Sequence, residues 1–198
     1  MSFRTTLQRV CFALLIAAVS TTALAKKEEI KASSTSNPAP SEAFSAFDRI
    51  EVAPIAMGEP YAGQKANDAA LANLQAALDE RLPVWLAEIN ARPAATEPPR
   101  VLRVEPRIDK VRFIGGGARV FAGAFAGKSR ILVKLKITDA ATGAVIAEPE
   151  FYQHASAMAG AYSFGGADKA MLERAATLVT EYLKTNHAAA VATPTGWE

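Results

Sequence analysis

Residues 129–138 alternate with period two. Ile131, Val133, Leu135 and Ile137 fall on one face and Lys134 and Lys136 on the other, the signature of a strand buried on one side. Residues 101–113 alternate too, with Leu102, Val104, Pro106 and Ile108 against Arg103, Glu105, Arg107 and Asp109. The apolar set then resumes at Val111 and Phe113, out of phase with the first four. One extra residue near Asp109-Lys110 repairs the phase, and a β-bulge supplies it. A turn at Asp139-Ala140-Ala141-Thr142-Gly143, with Gly143 free to take a positive φ, leads into a return strand over 144–154. On that strand Val145, Ala147, Phe151 and Gln153 are assigned to one face, and Ile146, Glu148, Tyr152 and His154 to the other. An earlier strand is read over 47–55, with Pro54 marking an edge or an end.

Two stretches follow the helical period instead. Leu71, Leu74, Leu78, Leu82, Trp85 and Ile89 line one face of a helix over 67–91, capped by Asn67 or Asp68 and kinked where Pro83 withholds its N–H. Met171, Leu172, Ala175, Leu178, Val179, Tyr182 and Leu183 form the stripe of a second helix over 167–185, with Asp168 near its start. Strand, helix, three strands, helix predicts an α+β fold. It has a mostly antiparallel four-stranded sheet with two helices on one face, in the order β-α-β-β-β-α.

The N-terminal pattern belongs to neither period. Residues 10–19 are apolar throughout, Arg4 and Arg9 precede them, and Ala23-Leu24-Ala25 follows. These are the three parts of a Sec-type signal peptide over 1–25, cleaved after Ala25. A transmembrane helix needs about 20 apolar residues, more than this run offers. The reading places the protein in the periplasm or outside the cell. Residues 26–45, charged and then rich in Ser, Thr, Asn, Ala and Pro, are expected to be a disordered linker. The α+β domain spans 46–187, and 188–198, which contains Trp197, is expected to be a flexible tail.

Charge and cysteine content narrow the classes. Cys11, the single cysteine, lies inside the apolar run without the small residues of a lipoprotein signal before it, so the exported chain has neither thiol nor disulfide. Removing Arg4 and Arg9 from the 22 basic residues leaves 20 against 20 acids. That balance gives no general attraction to nucleic acid, which is excluded as a partner.

The candidate chemistry is thin. Gly127-Lys128-Ser129 ends like a phosphate-binding loop, but the first glycine stands at 123 where 122 is needed, and a strand follows instead of a helix. Ser163 sits in a near miss for a nucleophile elbow, with Ala161 in the first glycine place. Asp168 and His187, its candidate partners, lie on or just past one helix, too far apart to meet it together. His154 and His187 lack the spacing of a helical zinc site, so no metal or cofactor is expected. Glu105, Asp109, Glu148 and Glu150 are placed to approach as a glycosidase-like pair, or to form cross-strand ion pairs with Arg103, Arg107, Lys134 and Lys136.

The segment 113–128 is the candidate binding element. Phe113, Phe121 and Phe125 interleave with Gly116, Gly123 and Gly127, and Arg119 and Lys128 carry its only charges. Loops are usually polar, so an apolar glycine-rich one either packs on its own core or docks a partner or a lipid face. The segment 155–166, with Met158, Tyr162 and Phe164, has the same character.

Gly116, Arg119, Gly123, Gly127 and the hairpin 129–143 resemble the domain-of-unknown-function 4410 family, mostly inferred to be bacterial envelope lipoproteins. The resemblance spans 47–183 and implies an exported α+β domain with no assigned catalytic residue. The missing lipobox cysteine departs from the family and points to a soluble form. The expected function is that of a non-enzymatic envelope protein, an accessory module that binds a protein partner in a periplasmic or cell-surface assembly through Phe113, Gly116, Arg119, Phe121, Gly123, Phe125 and Gly127. The alternatives are a carrier of an apolar small molecule or lipid, then a small serine hydrolase using Ser163.

Overall fold

The computed structural model describes residues 29–114, 127–155 and 166–197. The signal peptide over 1–25 lies outside the described residues. In chain order the elements are β1 (Ser36–Asn37), a 3-10 turn (Phe44–Ala46), β2 (Arg49–Val52), β3 (Ala56–Met57), α1 (Lys65–Arg81), α2 (Pro83–Asn90), β4 (Val101–Arg112), β5 (Arg130–Asp139), β6 (Val145–Ala147), β7 (Glu150–His154), α3 (Gly166–Ala188) and β8 (Thr193–Pro194).

The fold is a mixture of α and β, and its main sheet has six strands where four were expected. β2 and β3 both pair with β4, and they run parallel to it. The antiparallel expectation fails here because α1 and α2 form a crossover that returns the chain to the starting end of the sheet. β4 and β5 are antiparallel, and β6 and β7 share the far side of β5. The strand read over 47–55 is β2 alone, ending before Pro54, and β3 begins just past that range at Ala56. The return strand is likewise divided at Glu148-Pro149. The division shifts its parity, so Ile146 and Phe151 both point inward and Val145 is half exposed. The faces assigned to Val145 and Ile146 are corrected accordingly, while Ala147 is partly buried against the core.

The bulge falls where the phase change put it. Ile108 pairs with Val133 and Lys110 with Leu132, which leaves Asp109 as the extra residue. The hairpin after β5 also follows its sequence: Asp139 Oδ1 accepts from the N–H groups of Ala141 (2.9 Å) and Thr142 (3.2 Å), and Gly143 has φ +72°.

Pro83 starts a new helix instead of kinking one. Its missing N–H is harmless in a first turn, so α1 ends at Arg81 and α2 begins at Pro83. Neither Asn67 nor Asp68 caps α1, which starts two residues earlier. Asn67 donates to Tyr61 O (2.9 Å), and Asp68 Oδ1 accepts from the Gly63 N–H (3.2 Å).

The helices cover one face of the sheet only. Leu74 and Leu78 of α1, Ile89 of α2, and Met171, Leu178 and Leu183 of α3 meet the inward residues of β2, β4, β5 and β7 in one apolar cluster. Tyr182 sits at its centre, with Phe151 5.5 Å away edge-on and Phe44 at 6.0 Å. Arg81 joins α1 to α3 through Glu173 (2.6 Å).

Both edges of the sheet are closed by an asparagine amide. Asn90 accepts from the Ile50 N–H (2.8 Å) and donates to the Ile50 carbonyl (3.0 Å), as a neighbouring strand would. Asn37 does the same to Glu150 on the opposite edge, at 2.8 and 3.0 Å. Order therefore extends into both segments read as linker and tail: β1 pairs with β8, and Phe44 is fully buried. Open strand edges template aggregation, and these amides occupy them.

Two outcomes follow from these contacts. Asn90→Ala strips both partners from buried Ile50, and urea unfolding should show a loss of about 1–3 kcal/mol; an unchanged midpoint would contradict the role given to the amide. Asp48 accepts from the Thr96 hydroxyl (2.6 Å) and the N–H groups of Ala95 and Arg100, and these bonds hold its carboxyl down at about 2. A carboxyl held low stabilises the fold above its unfolded value near 3.8 and stops doing so as pH falls through about 2. Asp48→Asn should therefore flatten the stability curve between those two values, as read by thermal melts across pH.

Candidate functional site

The sheet face away from the helices carries the polar half of every alternating strand. Its register brings together residues that are far apart in sequence. Arg107, Lys134 and Glu150 form one row across β4, β5 and β7. Arg112, Arg130 and His154 form another, at the end of the sheet where β4 finishes and β5 begins.

The first row is electrically closed. Lys134 Nζ lies 2.9 Å from Glu150 Oε1 and 3.5 Å from Asp109 Oδ2, while Arg107 takes the other oxygen of Asp109 at 2.7 Å. Burial works against ionisation of Glu150. The Ser33 N–H (2.6 Å) and Lys134 outweigh it and hold the carboxyl below its ordinary value. The Glu150 bond in turn raises the Lys134 ammonium. Arg107, Lys134 and Glu150, with Glu105, Lys136 and Glu148, line a groove of about 590 Å³. Of the two readings open for these carboxylates, the ion pairs are the one realised at Asp109 and Glu150.

The second row is uniformly basic. Lys128 Nζ approaches His154 Nε2 at 3.3 Å, and Arg174 on α3 reaches round the edge of β7 to the His154 carbonyl (2.7 Å). Burial first, then the charges of Lys128, Arg174 and Arg130, push His154 below its usual value, towards the neutral imidazole. Sequence reading missed this row because its members come from three strands, and only the register aligns them.

Both glycine-aromatic segments are rooted beside that row. Ser129 is fully buried: its hydroxyl accepts from the Ile114 N–H (3.0 Å) and its carbonyl from the Ala155 N–H (2.9 Å). One serine thus ties the exit of β4, the entrance of β5 and the exit of β7. Of the residues singled out in 113–128, Phe113 is half-buried and packs on the core, and Gly127 has φ +84°, a conformation that favours glycine. Gly116, Arg119, Phe121, Gly123 and Phe125 lie outside the described residues, as do Met158, Tyr162, Ser163 and Phe164.

The opposite end of the sheet is fastened by Arg100, which bonds Glu42 and Asp139 at 3.0 Å each and lies 4.2 Å over the Phe47 ring. No helix among the described residues is long and apolar enough to cross a membrane, and no group of three or more candidate metal ligands occurs among them.

Solved structures offer distant likenesses. PelC from Paraburkholderia phytofirmans, a dodecamer, is 16% identical over 73% of this chain and 93% of its own, with a TM-score of 0.41. A protein of Caulobacter crescentus inferred to be a lipoprotein is 19% identical over 70% of this chain and 90% of its own, with a TM-score of 0.37. A Xanthomonas campestris protein of domain-of-unknown-function family 330 is 17% identical over 69% and 81%, with a TM-score of 0.34. At these identities and scores none transfers a role to this chain. No family model and no curated protein matches it, so the resemblance to family 4410 rests on the loop and hairpin residues alone.

Proposed function

We propose that the chain is an exported, non-enzymatic envelope protein, a binding module that docks a protein partner through the segment 113–128. The observation that carries this reading is the Ser129 tie. It roots 113–128 and 155–166, two apolar glycine-rich segments, side by side at one end of a rigid sheet. Binding residues commonly lie on loops held by such a scaffold. Phe121 and Phe125 are the anchors, since buried aromatics dominate interface energy. Phe113, packed on the core, holds the base of the segment.

Two of the four candidate carboxylates, Asp109 and Glu150, are engaged by Lys134, which supports the same reading. The carrier alternative drew on the alanine content of the helices. Ala70, Ala77, Ala175 and Ala176 are at most 4% exposed, so close helix packing accounts for them without a ligand.

The double variant Phe121→Ala/Phe125→Ala should keep the parent melting temperature within a few degrees. It should lose the protein that co-purifies with the tagged chain from the envelope of its own host. Undiminished co-purification by a folded double variant would refute the docking role of the two rings.

A further inference from the structure

The basic row carries a cost that the fold does not repay. Residues directly opposite in an antiparallel pair bring their Cβ atoms to about 5 Å, and like charges there destabilise the sheet. Arg112 faces Arg130 in this way, while His154, held towards its neutral form, faces Arg130 on its other side as a polar neighbour. All three point away from the core, because their neighbours Val111, Ile131 and Gln153 are buried beneath the helices. Lys128 adds a fourth basic group, 3.3 Å from His154.

Counter-charge is scarce among the described residues. The acids of the neighbouring row are engaged by Arg107 and Lys134. Glu29 approaches Arg130 only at 4.0 Å and its side chain is 65% exposed. The two segments rooted here, 115–126 and 156–165, contain no Asp or Glu, and Arg119 would add a further positive charge.

One donor on each guanidinium is also unsatisfied, although Arg130 bonds the Tyr152 hydroxyl through another. Nε of Arg112 and Nε of Arg130 are both buried with no hydrogen-bond partner, although the Arg130 side chain keeps 23% of its surface open. A buried donor without a partner costs free energy, and two in one row of like charges call for an acceptor carrying negative charge. Guanidinium groups bind planar or tetrahedral oxyanions through paired N–H donors.

We propose that Arg112, Arg130 and His154, with Lys128 at the rim, form a binding site for an oxyanion, a phosphate or carboxylate group. The site uses described residues only and stands whether or not Phe121 and Phe125 dock a protein. Its anion neutralises the row, bonds the open N–H donors of the two guanidinium groups, and sits beside the roots of both glycine-aromatic segments.

The test is an NMR titration of the purified protein with inorganic phosphate and, separately, with citrate. Sodium chloride at matched ionic strength is the control. Saturable shifts of the Arg112 and Arg130 Nε–H signals are expected with one or both anions, and the stronger arm tells phosphate from carboxylate chemistry. Arg112→Gln and Arg130→Gln should each weaken binding about tenfold or more. Lys136→Gln, on a different row, should leave binding unchanged. Without added anion, the Arg112→Gln variant should melt no lower than the parent, since it relieves repulsion. Shifts no larger than those with chloride, or saturable shifts that persist in both arginine variants, would overturn the proposal.

Discussion

The structure depends on a sheet whose apolar core lies on one face. β5 is its central strand, and Ile131, Val133, Leu135 and Ile137 are at most 1% exposed against the helices. With a period of two, that fixes what the outer face must carry: Arg130, Leu132, Lys134 and Lys136. A slip of one residue would drive Lys134 and Lys136 into the apolar cluster, so the register is strongly specified. The bulge at Asp109 is the second half of the same constraint. It brings Val111 back to the core and thereby turns Arg112 outward, opposite Arg130. The basic row is thus a direct consequence of how β4 keeps its apolar residues inside.

A sheet open on one side also has two edges to protect, and the chain protects them with its least regular parts. Asn90, at the end of α2, bonds β2, and Asn37, far upstream of the domain's first long strand, bonds β7. Thr195 accepts from the Tyr152 N–H at 2.7 Å, so the C-terminal segment lies along the same edge as Asn37. Ser129 and Arg100 fasten the two ends of the sheet. Ser129 leaves the loop-bearing end held by neutral hydrogen bonds, while Arg100 holds the other end with charge.

Much of this was legible in the sequence wherever one segment carried its own pattern. The stripe of α3 from Met171 to Leu183, the alternation of β5, the bulge after Ile108 and the Asp139–Gly143 turn are all local signals, and each has its structural counterpart. Pairing direction was not legible, because parallel β2 and β4 share no local signature beyond the crossover between them. Nor was the order around Asn37 and Phe44, since a single amide or ring in a polar stretch has no period to detect. The division of the return strand at Glu148-Pro149 follows from a proline that no alternating pattern can place. The basic row escaped for the same reason as the parallel pairing: Arg112, Arg130 and His154 become neighbours only through register. Their unpaired Nε atoms depend on packing.

The central claim is that the end of the sheet tied by Ser129 is the working surface of the molecule. Photo-crosslinking in the native host tests it most directly, with the crosslinker at Phe121 and a control at Val84, which is 72% exposed on α2 at the helical side. A discrete protein adduct at Phe121 and none at Val84 is the expected result. No adduct at Phe121, or the same adducts from both positions, would contradict the account.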